Sequence, residues 1–310
     1  MSPVVDPPSI PPAKTPPHRA GFVAIVGRPN VGKSTLMNRL VGQKVSIVSE
    51  KPQTTRNRIM GVCHLAYGQM VFFDTPGLHH ADIPLNRKMV QAALSCLREV
   101  DLILYLVEPT PPSDANRWIE ARLHRVETPK ILVVNKMDLV HATSLLPILD
   151  AYHRQGLYAD LVPLSAKTGD NLSRLLPVAL AHLPEGAPLF PEDTLTDQPT
   201  RFLASEIIRE KVIEQTRQEI PYAVAVEVEA FQETDARITI RAILFVERDS
   251  QKGVLIGRQG RMLKEIGTHA REAIAALLGK PIFLGLWVKV KREWRRDDAF
   301  LKQMGYGSTR

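Results

Sequence analysis

Cysteine is almost absent: Cys63 and Cys96 are the only two in 310 residues. That excludes a disulfide scaffold and predicts a reducing, cytoplasmic setting. No apolar run approaches the length of a bilayer-spanning helix. The opening stretch MSPVVDPPSIPPAKTPPHRA has no apolar core of the signal-peptide type. Ser2 stands where myristoylation requires glycine. No internal repeat is visible. What remains is a globular composition, 44% apolar and 24% charged, in a chain long enough for two ordinary domains.

Seven of the first 17 residues are proline, so residues 1–19 are predicted to form an extended, polyproline-like tail outside the fold. Over 20–183, the apolar runs FVAIVG, MVFFD, LILYLV, KILVVN and LVPLS alternate with amphipathic stretches at 84–98, 114–126, 143–154 and 171–182. This alternation predicts an α/β, doubly wound, mostly parallel sheet, with GVCHLA as a candidate antiparallel edge strand. Residues 184–200, rich in proline and acidic groups, read as a linker. From 201 to 306 the order becomes helix, strand, strand, a helical pair around GRQG, strand and short helix. That predicts a separate α+β domain. Charge follows the same division, since residues 250–296 hold 11 basic side chains against 3 acidic. Such a field favours a polyanion, nucleic acid first, with a solvated basic surface as the alternative.

The segment G27-R-P-N-V-G-K-S34 fits the P-loop pattern G-x-x-x-x-G-K-[ST] directly after a strand. Gly27 and Gly32 let the loop of Arg28, Pro29, Asn30 and Val31 turn backbone amides toward phosphate. Lys33 supplies charge to the β and γ groups and Ser34 offers a hydroxyl to Mg²⁺. The helix that follows, carrying Thr35, points its positive end at the anion. Asp74 closes the strand MVFF and can hold Mg²⁺ through water. Thr75, Pro76, Gly77 and Leu78 complete the loop, with the Gly77 amide near a γ-phosphate. Between these elements, P52-Q-T-T-R56 offers a threonine to the metal, Thr55 preferred over Thr54. The motifs N135-K-M-D138 and S165-A-K167 each close a later strand, on the same sheet edge. Asp138 can accept from guanine N1–H and the 2-amino group, a donor pair that adenine lacks. Asn135 would brace the base pocket, Lys136 would pack over the purine and the Ala166 amide would reach O6, between Ser165 and Lys167. The set implies GTP or GDP. The position after Gly77, which in many switches is a water-orienting glutamine, is Leu78.

These five elements resemble the translation-associated GTPase family, and with the domain that follows they resemble its Era-type members, bacterial ribosome-assembly GTPases. The resemblance spans about residues 20–306. It implies that the apolar Leu78 is compatible with slow GTP hydrolysis, and that Asn30 helps hold K⁺ against the phosphates in place of an arginine finger, with a role only in shaping the turn as the alternative. No general base is assigned. It also implies a partner, the 3′ end of 16S rRNA within the 30S subunit, and a role in 30S assembly and rRNA maturation. Members are described as peripheral at the cytoplasmic face of the membrane, and a monomer is expected. The proline tail departs from the family plan.

In the second domain, G257-R-Q-G260 lies between two helical stretches. It resembles the GxxG loop of a type II K-homology (KH) module, which clamps single-stranded RNA. Gly257, Arg258, Gln259, Gly260, Arg261 and Lys264 are the RNA candidates. In the strand IFLGLWVKVKREW, the face of Ile282, Leu284, Leu286, Val288 and Val290 is assigned to core. The face of Phe283, Trp287, Lys289 and Lys291 reads either as a base-stacking surface or, slightly preferred, as a covered sheet face. Arg292, Arg295 and Arg296 read as positioning charges. Two rival classes are a GTP-binding RNA scaffold without turnover, and an RNA-modifying or tandem-domain GTPase. The single G domain and the lack of a C-terminal cysteine motif count against the second.

Overall fold

A computed structural model describes residues 17–79 and 81–306 of the chain. The first sheet has strands β1 (Arg19–Gly27), β2 (Ile59–Leu65), β3 (Gly68–Asp74), β4 (Leu102–Val107), β5 (Lys130–Val134) and β6 (Asp160–Pro163). Their order is β2-β3-β1-β4-β5-β6; β2 pairs antiparallel at the edge, and the other pairings are parallel. The sheet is buried on both faces, which is why its strands read as unbroken apolar runs. Alternate residues of β1 go opposite ways. Val23 and Ile25 join the core beneath α1 (Lys33–Val41) and α5 (Leu172–Ala181). Ala24 and Val26 join the one beneath α2 (Pro84–Cys96), α3 (Asp114–Leu123) and α4 (Ala142–His153). Crossovers between parallel strands bring the P-loop and the NKMD and SAK segments to one edge, at the carboxyl ends of the strands.

The second half runs α6 (Thr200–Gln215), α7 (Ile220–Ala223), β7 (Ala225–Glu233), β8 (Ile238–Val246), α8 (Asp249–Ile256), α9 (Arg261–Leu278), β9 (Ile282–Val290) and α10 (Asp298–Gln303). Its three-stranded sheet has the order β7-β8-β9, with β7 antiparallel and β9 parallel to β8. Ile266, Ala270 and Ile274 of α9 and Ile207, Ile208 and Val212 of α6 pack on one face of it. The 3.6-residue spacing of those positions makes each helix bury a single stripe.

Three boundaries differ from expectation. The tail ends sooner than residue 19: residues 1–16 lie outside the described region, but Arg19 already opens β1 and donates to the Leu183 carbonyl at 2.6 Å. The 184–200 segment is no free tether. Gln69, buried on β3, accepts from the amides of Leu189 and Phe190 at 2.7 and 2.9 Å, and the Val62 amide donates to the Leu195 carbonyl at 2.9 Å. These bonds satisfy backbone groups along the β2 side of the sheet that would otherwise stay unpaired. Thr200, placed at the linker's end, begins α6.

Candidate nucleotide site and nucleic-acid groove

A cavity of about 710 Å³ opens at the carboxyl ends of β1, β4 and β5. From the P-loop it is lined by Pro29, Asn30, Gly32, Lys33, Ser34 and Thr35, from the later motifs by Asn135, Lys136, Asp138, Ala166 and Lys167, and by Gly77 and Thr55. One concavity therefore joins the P-loop to the Asp138 carboxylate. Its volume lies in the range of small-ligand sites.

Lys33 sits buried in the cradle and donates from Nζ to the carbonyls of Gly27 and Arg28 at 3.2 and 2.9 Å. Burial pushes its pKa down to about 8, against the opposing pull of Asp74. The ammonium is thus held by backbone until an anion can neutralise it. Gly32 adopts φ 99°, and a Cβ there would lie 2.2 Å from Asn135 Nδ2. The glycine makes room for Asn135, which donates to the Val31 carbonyl at 2.8 Å and so ties the base-reading strand to the cradle.

Asp74 is wholly buried, and desolvation holds its carboxyl above the usual range. Its Oδ2 accepts from Ser34 Oγ at 2.6 Å, Ser46 Oγ at 2.7 Å and Thr55 Oγ1 at 3.4 Å, while Oδ1 is buried without a partner among the described residues. A cluster of hydroxyl and carboxylate oxygens with one orphaned lone-pair set is the donor chemistry of a hard cation such as Mg²⁺. Thr54 instead donates to the Lys51 carbonyl at 2.6 Å, and Thr55 Oγ1 lies 2.9 Å from Ser34 Oγ.

Several candidate contacts are placed elsewhere. Leu78 is 1% exposed and belongs to the apolar core on the α2 side, with its amide donating to the Gly27 carbonyl at 3.0 Å. Its side chain does not line the cavity, so a core position has replaced a water-orienting one. Thr75 is likewise buried and donates to the Ile25 carbonyl at 2.8 Å. The side chains of Arg28, Val31, Pro76 and Ser165 also lie off the cavity wall, as does Asp74 behind Ser34. The Ala166 amide, expected at guanine O6, donates to Asn135 Oδ1 at 2.9 Å. Asp138 is exposed at the rim, with no hydrogen bond or ion pair among the described residues. Its carboxylate therefore keeps its lone pairs for a ligand. Asn30 Nδ2 donates to the Glu50 carbonyl at 2.5 Å.

Sequence reasoning missed Glu108, Ile47, Val48, Glu50, Gln53 and Leu139 on the cavity wall. Glu108 pairs with Lys136 Nζ at 2.5 Å; its place just after β4, on the ligand edge of the sheet, was the available signal. It also missed a clamp on the 44–56 loop. Arg209 of α6, fully buried, donates to the Thr54 carbonyl at 2.6 Å, and Glu210 accepts from the Val48 amide at 3.0 Å. Lys51 Nζ donates to the carbonyls of Ile213 and Thr216. Arg56, next to Thr55, donates to the Val224 carbonyl at 2.7 Å and lies 5.5 Å from the ring centre of the buried Trp294. The loop that carries the metal-side threonine is thus held by the second half of the molecule. No short motif announces such long-range bonds.

On the second half, the GRQG turn is left-handed at Gly257, Gln259 and Gly260. A groove of about 390 Å³ beside it is lined by Gly260, Leu263, Lys264, Gly267, Thr268, Arg271, Leu284 and Leu286. Arg258, Gln259 and Arg261 are exposed at its mouth. Leu284 and Leu286, assigned to core, are half-buried: they pack against the core of this domain and also wall the groove. Phe283 and Trp287 correct the other face: they are 53% and 49% exposed, not covered. Arg295 is paired with Glu247 at 2.5 Å.

Comparison with known proteins finds matches for both halves of the chain. Residues 22–136 match the family model of the 50S ribosome-binding GTPases, and residues 219–295 match the KH domain. The chain is 53% identical to GTPase Era of Geotalea daltonii over 289 residues, covering 93% of this chain and 97% of that protein. It is 50% identical to GTPase Era of Heliobacterium modesticaldum over 290 residues, with coverage of 93% and 97%. Among solved structures it superposes on Era bound to MgGDPNP and nucleotides 1506–1542 of 16S ribosomal RNA, with TM-score 0.91, 41% identity and coverage of 93% and 99%. A variant of Aquifex aeolicus Era bound to GDP·AlF4⁻ gives TM-score 0.90 at 41% identity, with the same coverage.

Proposed function

This chain belongs to the Era family of GTPases, and from that premise we propose that it couples GTP binding and hydrolysis to recognition of the 3′ end of 16S rRNA during assembly of the small ribosomal subunit. The observation that carries the reading is the single cavity in which Lys33 and Asp138 line one concave wall. Lys33 and the amides around Gly32 hold the phosphates, and Asp138 takes the guanine donors. Ser34, Thr55 and Asp74 would hold Mg²⁺, which when bound neutralises phosphate charge. Guanine O6 requires the Ala166 amide to leave Asn135, or another donor to serve. Asn30 is the side chain we assign to K⁺; its Nδ2 is engaged by Glu50, which leaves its Oδ1 for a cation. The groove beside Gly260 takes the RNA backbone, with Lys264 and Arg271 for phosphates and Leu284 and Leu286 for bases. We place this work in the cytoplasm, in keeping with the free thiols of Cys63 and Cys96.

The clamp on residues 44–56 supports coupling, because any rearrangement of Thr55 around nucleotide pulls on Arg209 and Arg56. Leu78 faces the core, so hydrolysis rests on charge neutralisation and alignment rather than on a side chain that orients water. The test is phosphate release from GTP and from ATP, with and without the 1506–1542 RNA, in KCl and in NaCl. GTP-selective turnover that rises with the RNA is expected. Turnover of ATP at the same rate would refute the base assignment, and equal rates in both salts would remove the role of Asn30.

A further inference from the structure

We propose that the outer face of the second sheet, around Trp287 and Phe283, is a further single-stranded RNA platform that receives the strand leaving the groove beside Gly260. The inference rests on that groove binding RNA. β9 is the edge strand of its sheet, and its side chains alternate between two surfaces. Leu284 and Leu286 line the groove, while Phe283 and Trp287 are about half exposed on the opposite face. Among the described residues no further strand separates the two surfaces, so an extended chain need only round the β9 edge to pass between them.

The outer face has the construction of a stacking surface. The Trp287 ring lies across Gly285, where a Cβ would sit 2.9 Å from the ring edge. A glycine at that position lets the indole lie down on the strand. Phe283 and Trp287, four residues apart, stand about 13 Å from each other along the strand. Cations are interleaved with them. The Arg237 guanidinium lies 5.9 Å from the Phe283 ring centre. Arg241 is the strand partner of Gly285, beside the indole, and is exposed without a hydrogen bond or ion pair among the described residues. Lys289 continues the row, 3.7 Å from Glu229. Aromatic faces for bases and flanking cations for phosphates are what sequence-tolerant binding of single strands requires. Intramolecular cover on this face is partial. Ile243, the strand partner of Trp287, is 2% exposed, and Phe300 of α10 packs edge-on to Phe245, two residues further along β8, at 5.1 Å. Phe283 and Trp287 themselves stay about half exposed. Of the acidic side chains on β7, Glu229 reaches Lys289 of β9, and Glu233 pairs with Lys280, just before β9, at 2.5 Å. Arg237 and Arg241 are thus the cations beside the rings that no carboxylate engages among the described residues.

The test compares two RNAs, the 1506–1542 fragment and an oligonucleotide of about five nucleotides, just enough to fill a four-nucleotide GxxG clamp. Trp287→Leu with Phe283→Leu should weaken the long RNA about tenfold and leave the short one unchanged. Arg241→Gln should weaken only the long RNA, and less so at high salt. GTP hydrolysis serves as the control for folding. Unchanged affinity of the double variant for the long RNA overturns the proposal, and so does an equal loss on both RNAs, which would mean a distorted groove. Ultraviolet crosslinking on intact small subunits that joins this face to protein rather than RNA overturns it too. If neither RNA binds the unaltered protein, the groove reading itself has failed, which is a separate outcome.

Discussion

Asp74 is wholly buried, ringed by the hydroxyls of Ser34, Ser46 and Thr55, whereas Trp287 stands half exposed on an edge strand. The two regions bind anions by opposite designs. In the nucleotide cavity, Lys33 and Asp74 are taken out of water and held by backbone carbonyls and hydroxyl bonds before the ligand arrives, and Asp138 leaves water only when a base covers the rim. Low local polarity there makes each donor count for more and each unpaired atom costly. The proposed RNA groove keeps its cations, Lys264 and Arg271, solvated beside half-buried leucines, so any one of these side chains should contribute little. Removing one group should therefore be severe in the first region and mild in the second.

The largest break expected is Asp138→Asn. Loss of two charge-assisted bonds should weaken GTP about a thousandfold and shift preference to xanthine nucleotides, read by competition binding; unchanged guanine selectivity would refute the base pocket. Leu78→Gln comes next. An amide forced into the core should cost about 2 kcal/mol of stability in denaturant melts without speeding hydrolysis. Faster turnover would mean that this side chain reaches the water after all. A smaller effect comes from pH. Lys33 in the folded protein titrates at about 8 rather than 10.5, so the ammonium that meets phosphate is depleted above that point. Nucleotide affinity should fall about tenfold per unit as pH rises beyond 8. Folding responds with the opposite sign. The unfolded chain binds the extra proton between about 8 and 10.5, so the cost of burying this charge is relieved as pH rises through that window. Smallest is Lys264→Gln. It should lower the salt slope of RNA binding by about 0.7 and leave GTP hydrolysis without RNA unchanged. A loss as large as that of Asp138→Asn would erase the contrast between the two regions.

The contrast also explains what was legible. Phosphate and guanine demand fixed residue types at fixed offsets, so Lys33, Ser34, Asn135 and Asp138 could be named from short motifs, and strands buried on both faces announced themselves as apolar runs. Leu284 and Leu286 could not be told from core, because a groove wall and a core layer share the same alternation. Phe283 and Trp287 were misjudged for the same reason: the pattern gives the face but not what covers it. The Ala166 amide was assigned to a base, though its nearest acceptor is Asn135 Oδ1.

By itself the sequence determined two folding units, a P-loop, the NKMD motif that closes a later strand on the same sheet edge and a GxxG turn, since each is a local pattern whose backbone geometry follows from its own residues. Only the tertiary structure decided that Leu78 serves the core and that Thr55, not Thr54, joins Ser34 and Asp74. It alone showed that Arg209 and Arg56 bind the switch loop to the second domain. Those outcomes depend on partners more than a hundred residues away or on which side of a loop meets solvent, and packing of the whole chain sets both.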